Sequence, residues 1–362
     1  MRSILRAFNL GFVVAIAASF TGCSAPADAQ IGRSARPSDF YFSVAMGEIP
    51  GHTLMEKFGE NPDIDTADGF VTIWDAGGDY AAPTIPRVHD VVSTLAADAG
   101  TVLESGTATG GSLTTLEDTG ATFIASGVVA GDRIINDTNV TIATITSVDS
   151  ETVLTAFVGM IDAGSGLNST PNASGDSYRI VTDASTGASI LHINGLGAAH
   201  TKLEEFVVLN GVGVVATAGT YSHIHRMRIF TAGNKEALGT ITADSPETVP
   251  TTTAQIINGN NQTLMTLFSC PLDKICHIVQ WWAAMAKKQT AVSVVRLRGG
   301  TLGGTSYVLQ TRAIDNGGDS AFNYIYPVPE TLPGGADVWI EADTDTNDVG
   351  ISAGFTLILM DN

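Results

Sequence analysis

Residues 264–282 read Leu-Met-Thr-Leu-Phe-Ser-Cys-Pro-Leu-Asp-Lys-Ile-Cys-His-Ile-Val-Gln-Trp-Trp. Two apolar runs, Leu264–Phe268 and Ile275–Trp282, flank the turn sequence Pro-Leu-Asp-Lys. Short apolar runs bounded by turn residues are typical of β-strands. The stretch therefore predicts two consecutive strands with Cys270 and Cys276 across a hairpin. At that position the two cysteines form either a disulfide or two free buried thiols.

The same pattern continues to the C-terminus. Four more segments predict strands separated by turn residues: Val292–Leu297, Tyr307–Thr311, Asp337–Ile340 and Gly354–Met360. Six or more strands at this spacing predict a β-sandwich or a jelly-roll-like barrel over residues 251–362. After the first 30 residues, no window has apolar residues at helical spacing for three or more turns. The sequence therefore predicts an all-β protein.

Composition and charge exclude several classes of protein. Hydrophobic residues make up 44% of the 362 residues, which suffices for packed cores and excludes disorder throughout the chain. Acidic residues outnumber basic residues by 37 to 18, the net charge is -19, and no basic stripe is present. This charge disfavours nucleic acids and anionic membrane surfaces as partners.

The N-terminus, residues 1–29, resembles a secretory signal peptide. Two arginines precede an apolar run, Leu10–Phe20, which is too short to span a bilayer and is followed by small residues. Cleavage at a lipobox-like site would leave a lipidated Cys23, although Phe20 fits a lipobox poorly. Cleavage before Gln30 would instead release a soluble chain. A third interpretation is a start codon placed too early, in which case the leader is never made.

Composition divides the remaining chain into three parts. Residues 30–100 together with 185–250 predict an N-terminal β body, whose first strand is expected at Phe40–Val44. Residues 101–184 are rich in Gly, Thr and Ser and nearly free of Lys and aromatic residues. They predict a compact inserted module of four to six short strands. Residues 251–362 form the predicted C-terminal sandwich.

Two short motifs suggest ligands only superficially. Gly211–Ala216 follows the predicted strand Phe206–Leu209 and partly matches a dinucleotide-binding fingerprint. That fingerprint requires a helix next, whereas another strand is predicted here, so we expect a β-turn. His223 and His225 share one face of a strand and could reach one metal ion. No third ligand is apparent nearby, and two polar residues on the wet face of a sheet are the commoner explanation.

Two acidic loops could each hold a structural calcium ion. Their side chains are Asn61, Asp63, Asp65 and Asp68 before Gly69, and Asp343, Asp345 and Asp348 before Gly350. Carboxylate oxygens on tight loops are the ligands that calcium requires. Neither loop has EF-hand spacing, and Asx residues also build turns without an ion. Both interpretations stay open.

No motif for catalysis is present in the sequence. The Gly-x-Ser-x-Gly elbow, the His-Glu-x-x-His motif and the phosphate-loop lysine motif are absent, and no pair of carboxylates stands out. We therefore predict that the protein is not an enzyme and assign no catalytic residue, metal or cofactor.

Trp281 and Trp282 are adjacent on a predicted strand, so their rings should point to opposite faces. One ring would lie in the core, and the other would face solvent or a neighbouring subunit. The alternative is that loops of the same monomer cover both rings. The pair is the candidate subunit interface.

Several segments resemble a family of tailed-phage virion structural proteins common in marine and cyanobacterial phages. The resemblance rests on Gly47–Gly51, Lys57–Asp65, Thr72–Tyr80, Gly195–Leu196, Glu205–Gly211, Tyr221–Met227, Gly259–Met265, Trp281–Ala283 and Ser352–Leu359. In that family the stretch around Val91–Thr94 leads almost directly into the segment that is Gly187–Ala188 here. Residues 101–184 therefore look like an insertion, similar to a small β module of other phage and surface proteins.

The resemblance implies a structural role in a virion, with no reaction attached. The protein would be a capsid decoration, a head or tail fibre, or a tail-associated protein that binds other virion proteins as a homo-oligomer. The strands of Phe40–Gly100 and Ser185–Phe230 would anchor it, the inserted module would project outward, and the C-terminal sandwich would contact neighbouring subunits.

The leader departs from this pattern, because virion proteins assemble in the cytoplasm. The alternative is an exported lipoprotein or adhesin, outer-membrane-anchored through Cys23 or extracellular, that binds glycans or proteins. A secreted polysaccharide-degrading enzyme is a further alternative, which would need a cleft with two facing carboxylates.

Overall fold

The structure is a computed structural model that describes residues 37–112, 114–157, 173–182, 186–232, 236–247, 251–286, 291–315 and 317–362. The predicted signal peptide and Cys23 lie outside these residues. Contacts divide the chain into two units, residues 1–42 and 43–362. In the first unit the described residues are 37–42, which are helical. The strands all belong to the second unit.

The described residues form one helix and 23 strands. The helix α1 spans Pro37–Ala45. In chain order the strands are β1 (His52–Ile64), β2 (Val71–Thr72), β3 (Asp90–Ser93), β4 (Thr101–Thr107), β5 (Gly110–Gly111), β6 (Thr115–Glu117), β7 (Arg133–Asn136), β8 (Thr141–Val148), β9 (Val153–Phe157), β10 (Ser177–Thr182), β11 (Ala188–Gly197), β12 (Lys202–Val208), β13 (Val215–Ala216), β14 (Tyr221–Ala232), β15 (Ile241–Ser245), β16 (Thr251–Ile256), β17 (Leu267–Ser269), β18 (Lys274–Ala286), β19 (Val292–Gly300), β20 (Ser306–Asp315), β21 (Ala321–Leu332), β22 (Asp337–Thr344) and β23 (Val349–Asp361). The prediction of an all-β protein is confirmed.

The strand predicted at Phe40–Val44 is wrong, because these residues lie in α1. Proline at the first helical position has a backbone angle already suited to a helix. At the other end, the Gly47 amide donates to the Val44 carbonyl and Gly47 has a φ of 71°. This left-handed glycine is a common helix ending. Helix-terminal signals therefore outweigh the strand preference of the aromatic residues between them.

Nine of the described strands form two sheets with one shared core. Sheet I has the order β1-β23-β18-β21, and sheet II has the order β17-β22-β19-β20, with the short β2 also paired to β22. Side chains from both sheets join one hydrophobic cluster, which includes Ile278, Trp281, Leu297, Ile340 and Phe355. Pairing joins the first strand to the last and proceeds inward: β1 with β23, β17 with β22, β18 with β21, and β19 with β20. The two sheets are therefore built from one long nested hairpin.

Two predicted boundaries differ from the observed sheets. β1, expected in the N-terminal body, pairs with β23 from His52↔Met360 to Ile64↔Val349. β16, expected in the C-terminal sandwich, pairs with β15. The predicted hairpin around the cysteines is also wrong, because β17 lies in sheet II and β18 in sheet I. The turn between them crosses from one sheet to the other, and the Cys270–Cys276 disulfide links its two ends.

The N-terminal part contains two smaller sheets. Their orders are β12-β11-β14 and β13-β3-β15-β16. Both sheets contribute to a second hydrophobic cluster, with members such as Val91, Leu191, Tyr221, Ile241 and Ile256. Strands from before residue 100 and after residue 186 thus share one core.

The fifth sheet comes entirely from residues 101–182. Its order is β4-β10-β7-β8-β9-β6-β5, and it has a hydrophobic cluster of its own around Phe123 and Tyr178. A smaller cluster joins it to the body through Val181, Ile190 and Phe206, among others. The division into an insert and a body stays a prediction, which this separate core supports.

Candidate subunit interface

Trp281 and Trp282 lie on β18 and point to opposite faces of sheet I. Trp281 is fully buried, packs edge-to-face on Phe322 with ring centroids 4.5 Å apart, and its Nε1 donates to Gln310 Oε1 at 3.2 Å. Trp282 is partly exposed. Its ring lies over Gly354, where a Cβ would come within 2.8 Å of the ring carbons. The outward face of β18 therefore offers one aromatic ring to a neighbour, whereas the interface role itself stays a prediction.

The strands β20 and β21 lie at one end of the two sheets. β20 is the last strand of sheet II and β21 is the last strand of sheet I. Side chains connect them, because the Arg312 guanidinium stands 5.2 Å from the Tyr324 ring centroid. In the described sheet order they are not hydrogen-bonded to each other. We call residues 306–315 and 321–332 the open edge.

The open edge exposes apolar side chains and carries little charge. Tyr307, Val308, Ile325 and Val328 are 51%, 42%, 60% and 78% exposed. One arginine and two acids, Asp315 and Glu330, are the charged residues of these two strands. Apolar and aromatic surface with few charges is characteristic of the core of a protein interface. Sequence reasoning missed this surface, although the Pro-Val-Pro sequence at 327–329 within a strand was a usable signal of an edge.

Aromatic rings support the open edge from beneath. The rings of Tyr324 and Tyr326 meet edge-to-face at 5.0 Å. Burial raises the pKa of Tyr326, and within the described chain its hydroxyl has no hydrogen-bond partner. With Phe322 against Trp281, these rings hold β21 onto the core through side chains. The edge is therefore a well-packed surface.

The two predicted calcium loops meet in the structure. The carboxylates of Asp63, Asp65 and Asp348 come within 4.8 Å of one another. The Asp348 amide donates to Asp65 Oδ1 at 3.0 Å, and the Asp65 amide donates to Asp68 Oδ2 at 2.9 Å. These bonds give the carboxylates of Asp65 and Asp68 backbone amides as partners and tie the two loops together without any ion. Calcium at this cluster stays a prediction.

The other predicted calcium ligands serve other contacts. Asp345 Oδ1 accepts from the Val292 amide at 2.8 Å, and Asp343 accepts from the Thr344 amide. Asn61 is buried, and its Oδ1 accepts from the Asp63 amide at 3.1 Å. These three side chains stabilise loops and strand ends.

The expectation that His223 and His225 lie on a wet face is wrong, because both are buried. β14 is covered on that side by strands of the C-terminal sheets. The Ser269 amide donates to His225 Nε2 at 3.1 Å, and His223 Nε2 lies 3.8 Å from Asp337 Oδ1. Burial lowers the pKa of both histidines. Among the described residues, neither joins a group of three metal-binding side chains.

A buried lysine next to these histidines was not anticipated from the sequence. The Lys57 ammonium donates to the His225 carbonyl, and the lysine is only 3% exposed. Burial, and then the charge of Arg226, hold the pKa of Lys57 well below its usual value. The only signal in the sequence was its position on β1. Lys57 lies two residues before Gly59 and therefore shares the inward face of that strand.

Ser269, Asp337 and His223 form a polar cluster, but they are not linked in the serine–histidine–carboxylate order of a hydrolase triad. Ser269 Oγ donates to Asp337, whose other oxygen accepts from the Leu302 amide at 2.7 Å. The serine proton therefore points to a carboxylate, and His223 shares that same carboxylate. A nucleophile needs a base within hydrogen-bond reach, and this serine has no histidine in that role.

The glycine motif at 211–216 forms a turn and the short strand β13. Gly211 has a φ of 58°, and the Gly213 amide donates to the Asn210 carbonyl at 2.9 Å. A cleft of about 380 Å³ lies beside it, lined by apolar residues and by the ion pair of Arg179 and Asp137. Arg179 Nε and Nη2 donate to the two carboxylate oxygens of Asp137 at 2.8 and 2.6 Å, so the charge of Arg179 is already paired. The described motif lacks the helix that a nucleotide phosphate needs.

No family model matches the chain, and no curated protein matches it. The resemblance to phage virion proteins therefore stays a prediction, as do its partners and its location. The described part of the chain also contains no helix with the length and apolar character needed to cross a membrane.

Proposed function

We propose that this protein is a non-enzymatic structural component of a tailed-phage virion that acts through subunit contacts. It would serve as a capsid decoration, a head or tail fibre, or a tail-associated protein. The observation that carries the proposal is the pair of C-terminal sheets with a charge-poor, apolar open edge. Such a surface suits contact between copies, and the described residues offer no comparably organised reactive group.

The nested strand pairing favours a jelly roll for the C-terminal sheets. Each strand pair of the long hairpin lies within one sheet, and both sheets enclose one cluster. The eight strands of the nested hairpin, four in each sheet, have the arrangement of jelly rolls, which are frequent in viral capsid and lectin domains. A four-bladed, propeller-like ring of small sheets is the other description. Each propeller blade is a repeated unit, a sheet formed by consecutive strands. Here the chain crosses from one sheet to the other at most connections between strands, and this favours the jelly roll.

The charge of the chain is consistent with this role. A net charge of -19 keeps crowded copies soluble and away from encapsidated DNA. Contacts between copies would then form where the charge is lowest, and the open edge meets that condition.

Mass spectrometry of purified particles from the source tests the proposal directly. We expect the protein in the particles in many copies, whereas its absence from them would refute the virion role. N-terminal sequencing of the native protein is the second measurement. An intact Met1, or a start near Met46, is expected for a virion protein.

An exported lipoprotein or adhesin is the second candidate, and one observation favours it. The Cys270–Cys276 disulfide is a type of bond that persists in oxidising compartments. For this candidate, sequencing would find a lipidated Cys23 or Gln30 as the first residue, in membrane or medium fractions. A broad glycan-binding screen of the pure protein would then be positive.

A further inference from the structure

The two strands of the open edge differ in their ability to accept another strand. β21 contains Pro327 and Pro329, which have no amide proton, and its register to β18 shifts nearby. Proline and register shifts are devices that protect a sheet edge from pairing. β20 contains no proline and no lysine over Ser306–Asp315. Among the described strands, only β19 pairs with it. The chain therefore protects one edge and leaves its neighbour free.

The strand β20 also lacks the negative charge by which two copies of this chain repel each other. From Thr301 to Ile314 the sequence has no acidic residue and one basic residue, Arg312. Elsewhere acidic residues outnumber basic ones about twofold. Two copies with a net charge of -19 repel each other least where neither presents a carboxylate. This local charge identifies a second copy as the partner that the edge fits.

We propose that β20 pairs antiparallel with β20 of a second copy, so that sheet II continues across a two-fold axis. The inference rests on the proposed function, in which subunit contacts are the activity of the protein. A two-fold contact uses the same patch on both subunits, and each patch must therefore be complementary to itself. The free amides and carbonyls of the two edges would satisfy each other.

The side chains of β20 meet the requirement of self-complementarity. Antiparallel pairing about the midpoint of Leu309 and Gln310 places Arg312 opposite Tyr307 and Thr311 opposite Val308. An arginine beside a tyrosine ring is attractive, and no two like charges face each other in this register. The register of β20 to β19 shifts at Leu309. Pairing therefore uses the straight segments on either side of that bulge.

Sedimentation velocity of the purified full-length chain, over a wide range of concentrations, tests the inference. We expect the wild type to form dimers and the Val308→Lys variant to dissociate about tenfold or more readily, because two ammonium groups would meet near the axis. Thr311→Lys, at the facing position, should act in the same way. Val102→Lys adds the same charge to β4, the end strand of the fifth sheet, where Val102 is 44% exposed, and is the matched control, with dimerisation unchanged. Circular dichroism verifies that each variant is folded.

The outcomes separate this inference from the proposed function. A wild type that stays monomeric at every concentration would overturn the β20 pairing, and so would a dimer unaffected by Val308→Lys and Thr311→Lys. If Val328→Lys or Trp282→Ala weakens the dimer instead, the contact lies on sheet I. The pairing then fails while a role through subunit contacts survives. Absence of the protein from particles would refute the virion role and leave the measured dimer unaffected.

Discussion

Replacing each of the two adjacent tryptophans by alanine tests the packing of sheet I. Trp281→Ala removes a fully buried side chain, its edge-to-face contact with Phe322, and its hydrogen bond to Gln310. Burial of a tryptophan removes about 150–250 Å² from water, which at about 25 cal/mol per Å² corresponds to about 4–6 kcal/mol. Measured costs of such truncations are about 3–5 kcal/mol. We therefore expect a loss of about 4 kcal/mol in the free energy of unfolding.

Trp282→Ala is the matched control on the opposite face of β18. Its ring keeps part of its surface in water and lies over Gly354, so the loss should be about 1 kcal/mol. Guanidinium titration followed by far-UV circular dichroism measures both variants without relying on tryptophan fluorescence. Equal losses for the two variants, or a larger loss for Trp282→Ala, would show that the register of β18 is wrong.

Three further predictions concern buried groups. Burial raises the pKa of Asp75 to about 7, so the folded state holds a proton that the unfolded state releases at lower pH. This carboxyl contributes stability at low pH that is lost as the pH rises through 7. The free energy of unfolding of Asp75→Asn, relative to that of the wild type, should therefore increase by about 4 kcal/mol from pH 4 to pH 8. A difference that does not change with pH would contradict this prediction. A Cβ on Gly195 would lie 2.1 Å from the His223 carbonyl oxygen, whereas Gly318 has open space. Thermal melting should show that Gly195→Ala costs about 3 kcal/mol or more and Gly318→Ala almost nothing, and a stable Gly195→Ala would refute the β11–β14 register. Reducing the disulfide, whose cysteines are six positions apart, should cost about 2 kcal/mol, and alkylation of the denatured, unreduced protein should label neither cysteine.

Some features follow from the sequence because they depend on neighbouring residues alone. Alternation and turn residues determined that the chain forms strands, and the adjacency of Trp281 and Trp282 determined that their rings point to opposite faces of β18. The helix α1 was also encoded locally, by Pro37 at its start and Gly47 at its end. It was missed because the aromatic residues between these signals suggested a strand.

Other features were decided by contacts between residues far apart in the chain. β1 could pair with any strand of suitable pattern, yet it pairs with β23, and this pairing brings Asp65 to Asp348 across 283 positions. The same packing buries His223 under the C-terminal sheets and separates the strands that flank Cys270. The alternation of side chains along a strand specifies which of them share a face. The choice of partner strand depends instead on how much apolar surface the whole fold buries. The exposed β20 edge likewise exists only because the nested hairpin ends there.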